Sequence, residues 1–201
     1  MESSYAAGSV LHNEAVLIVT NSEKSAAFFS DSLTNASINK ISVLASAGET
    51  RRTLLEKKFD IVIIDAPLAD ESGESLARNI AAKGLSQVIL AVNNEHFNAM
   101  CAVCQEDGVL TISKPVDKNF FWSVLSLARS VNVKLKRIQD ENIKLKQKIA
   151  DIRIIDRAKC ILISYLSLTE QEAHRFIEKQ AMDLRSTKRV IAEEILKTYE
   201  N

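Results

Sequence analysis

The chain has 201 residues, enough for one domain of ordinary size and a smaller one, and its 46% hydrophobic content excludes a disordered protein. The formal net charge is zero, but residues 1–126 carry 10 Lys and Arg against 15 Asp and Glu, whereas residues 127–201 carry 16 against 11. An anionic partner is therefore expected at the C-terminal part. Because no basic run precedes an apolar stretch at the N-terminus, and no apolar segment approaches the roughly 20 residues that span a bilayer, we expect a cytoplasmic protein.

Residues 14–126 alternate short apolar runs with longer segments of helical period. Five runs rich in Val and Ile are predicted to be strands: AVLIV (15–19), ISVLA (41–45), DIVII (60–64), QVILAV (87–92) and VLTI (109–112). This alternation predicts an α/β domain with a five-stranded parallel sheet and helices on both faces. Asp65 directly follows the third run, at the carboxyl edge where such sheets bind ligands. It is a candidate phosphate acceptor, a metal ligand, or a remnant of either.

The cysteines and histidines give no complete site for a metal. Three cysteines cannot all pair, and a reducing compartment leaves them as thiols. Cys101 and Cys104 form a single CxxC without a second pair or a spaced His pair, so two small apolar residues on one helical face are favoured over a redox or metal half-site. His174 is interpreted as a surface residue. No metal or cofactor is predicted.

The helix that follows the fifth strand, beginning near Asn119, is predicted to continue as a coiled coil. Core positions recur with spacings of 4 and 3, without Gly or Pro, at Val131, Leu135, Ile138, Asn142, Leu145, Ile149 and Ile152. Asn142 falls at an a position, where a buried Asn costs stability but favours a parallel dimer. We therefore expect a homodimer, with a single long helix packed on its own domain as the alternative.

The C-terminal residues are predicted to form a small unit of three helices. The segment 154–166 continues the long helix, Thr169 with Glu172 gives a capping box for a second helix to about Asp183, and Ser186 or Thr187 begins a third. The predicted organisation is a flexible N-terminus (1–13), an α/β domain (14–126), a coiled-coil linker (127–153) and an all-α domain (154–201).

Residues 14–126 resemble the receiver domain of bacterial response regulators, which implies a CheY-like, flavodoxin-like fold. The segment DIVIIDAPL places Asp65 on the phospho-acceptor of that family, and SKP (113–115) places Lys114 on the lysine that contacts it. The acidic pair that holds Mg²⁺ in receivers is replaced by Thr20 and Asn21, and both are neutral. Val92 and Thr111 stand at the family's hydroxyl and aromatic switch positions. The expectation is a degenerate receiver in which Asp65 pairs with Lys114 and is seldom, if ever, phosphorylated.

The C-terminal unit resembles the ANTAR domain of bacterial transcription antiterminators in DRAKCIL (156–162), LTEQEAHRFIEKQAMD (168–183) and RVIAEEIL (189–196). This chain departs from the usual residues of the family at Cys160, Ser167, Ser186 and Lys188. The resemblance implies binding to stem-loops of a nascent leader RNA. The residues expected to contact RNA, all predicted to lie at the surface, are Arg157, Lys159, Arg175, Lys179, Arg185, Lys188 and Arg189.

The charge of the tail alone does not decide this interpretation. Residues 153–201 hold 9 Lys and Arg against 8 Asp and Glu, so a merely solvated charged surface is the alternative. Tyr165 is a candidate for stacking on a loop base, whereas Phe176 and Met182 are expected in the core.

The combined prediction is a non-enzymatic, dimeric antiterminator controlled by a sensor protein rather than by a phosphorelay. Two alternatives stay open: a conventional response regulator phosphorylated at Asp65 by a histidine kinase, and a protein-interaction module that docks a sensor.

Overall fold

The computed structural model describes residues 14–84 and 86–199. The chain divides into two compact units, Met1–Arg137 and Ile138–Asn201. The predicted flexible segment 1–13 lies outside the described residues. Within the described ranges, no helix is long and apolar enough to cross a membrane.

The first unit contains five strands that start or end within two residues of the predicted bounds, namely β1 (Ala15–Val19), β2 (Lys40–Leu44), β3 (Ile61–Asp65), β4 (Gln87–Asn93) and β5 (Leu110–Lys114). They form a parallel sheet in the order β2-β1-β3-β4-β5, which confirms the predicted α/β fold. Strands β1, β3 and β4 are buried because both of their faces are covered, and this explains their almost unbroken Val and Ile content.

Helices join successive strands and cover both faces of the sheet. Each face has its own apolar core, one centred on Leu17, Val62 and Leu90 and the other on Ile18, Ile63 and Phe121. The helices that join the strands are α1 (Glu23–Asn35), α2 (Ala47–Glu56), α3 (Glu74–Ala82) and α4 (Phe97–Cys104). Ser22 and Ser46 cap α1 and α2, since their side chains accept from the backbone N–H groups three residues on.

Helix α5 (Lys118–Leu166) begins in the first unit and is fastened to the amino-terminal edge of the sheet. Asn132 Nδ2 donates to the carbonyl of Asp60 at 2.6 Å, and Lys136 forms an ion pair with the Asp60 carboxylate. Arg129 Nε lies 2.9 Å from Glu14 Oε2. These polar contacts hold the early part of α5 at the edge opposite to Asp65.

The second unit consists of the end of α5, α6 (Glu170–Asp183) and α7 (Lys188–Tyr199). Thr169 and Glu172 form the predicted capping box: Thr169 Oγ1 accepts from the Glu172 N–H, and the Glu172 carboxylate accepts from the Thr169 N–H at 2.8 Å. Thr187 Oγ1 accepts from the Val190 N–H and caps α7. Alanine and branched aliphatic side chains form the core of this unit, namely Ala158, Leu162, Ala173, Ile177, Ala181, Ile191, Ala192 and Ile195.

Helix α5 passes the predicted boundaries at residues 126 and 153 without a break. The division into a domain at 14–126, a linker at 127–153 and a domain at 154–201 therefore stays a prediction.

Candidate functional site

Asp65 ends β3, and its side chain is buried among partners that use both carboxylate oxygens. Lys114 Nζ, from the end of β5, donates to Asp65 Oδ1 at 2.9 Å and also to the Ala66 carbonyl. Thr20 Oγ1, which follows β1, donates to Asp65 Oδ2 at 2.8 Å. The predicted pairing of Asp65 with Lys114 is present. The bond from Thr20 was not predicted, because the resemblance placed Thr20 at this site only as the replacement of an acid and did not indicate that its hydroxyl donates to Asp65.

These residues do not fit the Mg²⁺ ion that a receiver implies. Mg²⁺ needs several hard oxygen ligands in near-octahedral geometry, and carboxylates supply most of the attraction. Here Asp65 is satisfied by an ammonium group and a hydroxyl, and the neighbouring Thr20 and Asn21 carry no charge. Among the residues that the structure describes, no three His, Cys, Asp or Glu side chains lie together in a way that could hold a metal.

The CxxC segment lies on α4, and Cys104 packs inside the core. Burial raises the pKa of the Cys104 thiol, which disfavours the thiolate that metal binding or disulfide exchange requires. Cys101 is partly exposed. Cys104 thus acts in this structure as a small core residue.

Three of the seven basic residues singled out in the second unit are engaged by carboxylates. Arg189 lies 2.7 Å from Asp151 Oδ1 and 2.8 Å from Glu193 Oε1, and these bonds raise its pKa above the ordinary value. Lys188 is paired with Glu178. Their positive charge is already neutralised locally, so they are weaker candidates for phosphate contacts.

Lys159 is the third engaged residue, and the expectation that it lies at the surface is wrong. Its side chain is only 16% exposed. Hydrogen bonds to Asp156 at 2.8 Å and to Glu170 at 2.9 Å raise its pKa. Lys159 follows the fully buried Ala158 and lies one helical turn before the core residue Leu162, so it borders the apolar face of α5.

The remaining four basic residues, Arg157, Arg175, Lys179 and Arg185, are exposed. Arg175 and Lys179 are four residues apart on α6 and so share one face of that helix. Arg185 follows the end of α6 with a left-handed backbone, at φ 48°. All four side chains are therefore accessible from solvent.

Two apolar side chains of α6 do not lie where they were expected. Met182 is 78% exposed and Phe176 is 38% exposed, so neither is a buried core residue. The core face of α6 uses Ala173, Ile177 and Ala181 instead, at spacings of four residues. Phe176 and Met182 fall beside this stripe and point toward its flanks.

Tyr165 and His174 both lie at the surface of the second unit. Tyr165 is exposed, as base stacking would require, and its ring centroid lies 5.3 Å from that of Tyr199. His174 Nε2 lies 3.2 Å from Glu178 Oε1 on the helix surface.

The predicted coiled-coil residues fall into two groups. Val131 and Leu135, in the first unit, are half-buried. Within the second unit, Asn142 is exposed together with four apolar residues of the seam, Ile138, Leu145, Ile149 and Ile152.

Comparison with known proteins identifies the second unit. Residues 144–196 match the ANTAR domain. The transcriptional regulatory protein PdtaR of Mycobacterium tuberculosis is 24% identical over 141 residues, which cover 70% of this chain and 69% of that protein. The aliphatic amidase regulator of Pseudomonas aeruginosa is 29% identical over 85 residues, 42% of this chain and 43% of that protein. Both relatives are named as regulators rather than as enzymes.

Solved structures identify the fold of the first unit. The receiver domain of an HD-domain protein from Pseudomonas fluorescens Pf-5 superposes with a TM-score of 0.54 at 18% identity, covering 62% of this chain and 93% of that chain. The receiver domain of the response regulator TorR, of the TMAO respiratory system, gives a TM-score of 0.52 at 20% identity and covers 61% and 98%. The first unit thus has the fold of receiver domains, and residues 144–196 match the ANTAR domain.

Proposed function

We propose that this protein is an RNA-binding transcription antiterminator whose C-terminal unit holds stem-loops of a nascent leader transcript. The observation that carries the proposal is the match of residues 144–196 to the ANTAR domain. By holding the stem-loops, the protein prevents a competing terminator hairpin from forming. Proteins that recognise RNA by sequence favour unpaired loop bases, and basic side chains hold the phosphates.

The exposed basic side chains of α6 are the best candidates for phosphate contacts. Arg175 and Lys179 share one face, and both reach solvent, whereas Lys159, Lys188 and Arg189 are engaged with carboxylates. A phosphate contact by one of these three side chains first has to break an ion pair, which costs up to about 1 kcal/mol at the surface. We therefore rank Arg175, Lys179 and Arg185 above these three.

Measurement of leader-RNA binding over a range of salt concentrations tests this ranking. RNA for the assay is recovered by crosslinking from cells that express the protein. The double variant Arg175→Ala/Lys179→Ala should bind this RNA more weakly, and each lost phosphate contact should reduce the salt slope by about 0.7 for single-stranded RNA. The matched control is Lys144→Ala/Lys148→Ala, which removes two exposed charges at the same spacing from α5.

The outcomes are distinct. A weaker, less salt-dependent complex for the α6 variant alone supports the proposed surface. Equal effects of both double variants would mean that the protein attracts RNA only through its general charge. If no transcript is recovered with the wild-type protein, the antiterminator proposal itself fails, and the protein-interaction alternative gains.

We also propose that the protein works as a parallel homodimer through α5. Four seam residues are exposed on one stripe, and residues 141–149 are all exposed. An isolated helical stretch of this length is marginal in water without a packed face. A second copy, related by parallel pairing of the seams, buries the stripe and lets Asn142 pair with its equivalent. Two RNA-binding units in one particle then raise the avidity for a leader that carries two hairpins.

Control of the protein is proposed to come from a partner, such as a sensor protein, that contacts the receiver-type unit. Lys114 and the Thr20 hydroxyl already donate hydrogen bonds to the two carboxylate oxygens of Asp65, and no acidic neighbour from Thr20 or Asn21 favours a metal there. The survival of the Asp65–Lys114 pair favours one alternative, a regulator that is still phosphorylated by a histidine kinase. Labelling of Asp65 by a small phosphodonor in the presence of Mg²⁺ would support that alternative.

A further inference from the structure

The second unit contains a cavity of about 260 Å³ between α6 and α7, and the functional surface described above does not use it. Phe176, Gln180, Glu194, Thr198 and Tyr199 form its rim. Three core side chains, Leu162, Ile191 and Ile195, form its floor. We propose that this cavity receives one unstacked base of the RNA loop, with guanine preferred. This inference rests on the proposed RNA-binding function and extends it to a specific recognition site.

The size and walls of the cavity suit a single flat ring system. Sites for drug-sized ligands usually occupy about 300–1,000 Å³, and this cavity is smaller. Phe176 and Tyr199 supply aromatic walls, and the floor consists of buried aliphatic side chains. Unpaired bases stack readily on aromatic side chains, so the rim offers the contact that a splayed loop base needs.

The polar groups at the rim select among the bases. Glu194 brings a carboxylate, which only accepts hydrogen bonds, and Gln180 brings an amide that both donates and accepts. The Thr198 hydroxyl donates to the backbone carbonyl of Glu194 at 2.8 Å, so its oxygen remains an acceptor toward the cavity. Guanine has two adjacent N–H groups on its Watson–Crick edge, and these match the two oxygens of a carboxylate.

Charge around the cavity agrees with this occupant. A carboxylate beside RNA repels the phosphates unless hydrogen bonds from the base offset this repulsion, so Glu194 penalises bases that cannot donate to both of its oxygens. Arg175 and Lys179 directly precede Phe176 and Gln180 along α6. One residue on a helix turns by about 100°, so the basic face adjoins the rim and can hold the phosphates that flank the inserted base.

The test begins with selection of hairpins, with a constant stem and a randomised loop, on the full-length wild-type protein. One loop position should become fixed as guanine. Binding is then measured for Glu194→Gln and for RNA in which inosine, which lacks the amino group, replaces that guanine. Each change should weaken binding by about 5- to 150-fold, the range known for base contacts. The two changes together should cost little more than either alone, because they remove the same contact.

Asp183→Asn is the matched control, since it removes one exposed negative charge from the end of α6, outside the rim. It should leave the preference for guanine over inosine unchanged. Phe176→Leu tests the stacking wall while keeping an apolar side chain, and circular dichroism verifies its fold.

Two results would overturn the inference in different ways. Selected loops without a fixed base, or a fixed base whose recognition is the same in Glu194→Gln, would exclude the cavity while leaving RNA binding intact. A failure of the wild-type protein to enrich any hairpin would refute RNA binding and the base site together.

Discussion

Replacing Leu145 with Asp is the sharpest test of the proposed dimer. Leu145 is 57% exposed in one chain, and full burial of a leucine contributes about 1.5–3 kcal/mol. Covering the exposed half in a seam therefore contributes about 1–1.5 kcal/mol per chain, or about 2–3 kcal/mol for the pair. The Asp variant loses this stabilisation of the dimer. It also places two carboxylates against an apolar seam, and burying these charges destabilises the dimer further. Dimer dissociation should therefore become at least about 100-fold easier.

Sedimentation velocity over a range of concentrations measures the effect. Ile143→Asp is the control, because Ile143 is 65% exposed on the same helix but lies outside the seam, so the same charge there should leave the dimer intact. Asn142→Leu should strengthen association and loosen the choice of oligomer, since it removes a buried polar group. The dimer proposal is refuted if the wild-type protein is a monomer at tens of micromolar, or if the two Asp variants behave alike.

Three further predictions concern the Asp65 site and the capping box of Thr169 and Glu172. Mg²⁺ titration followed by calorimetry should be flat at millimolar metal, and a saturable response that Asp65→Asn abolishes would contradict this expectation. Thr169→Ala should lower the stability of the second unit by about 1 kcal/mol through loss of the N-cap, measured by thermal melting; an unchanged melting temperature would contradict it. The backbone N–H of Thr169 lowers the pKa of Glu172 below its ordinary value of 4.5, so the stability that Glu172 contributes is complete above that pH and is lost as the pH falls through the lowered pKa. Melting of the wild-type protein and of Glu172→Gln should therefore differ at neutral pH and converge in acid; a gap that persists in acid would refute this origin.

The sequence predicted the sheet well because its strands are buried on both faces. Long runs such as Ile61–Asp65 admit few other structures, and Asp65 could be placed at the carboxyl edge from its position in the chain alone. The hydrogen-bond partners of Asp65 could not be derived from the local sequence, because they lie at the ends of other strands of the sheet. Lys114 was found by family resemblance, whereas the Thr20 hydroxyl was noticed only as a missing acid.

The C-terminal helices were predicted less completely, because periodicity does not say which face of a short helix is buried. Ala173 and Ala181 carry the core of α6, and small residues give a weak hydrophobic signal. Phe176 and Met182 are more hydrophobic, and they led to the wrong prediction of which face of α6 is buried. The engagement of Lys159 depends on Glu170, which lies on another helix and could not be inferred from the local sequence.

Helix α5 carries the exposed seam and, through Ala158 and Leu162, supplies part of the core of the second unit. Arg189 of α7 is bound to Asp151 of α5. The proposed association of two chains and the proposed RNA contacts therefore act on one shared element. If a second copy orders α5 and thereby raises RNA affinity by some factor, thermodynamic reciprocity requires RNA to raise the association constant of the protein by the same factor. A leader transcript would then recruit its own antiterminator from a pool of monomers, and the response of the operon would rise more steeply than the protein concentration.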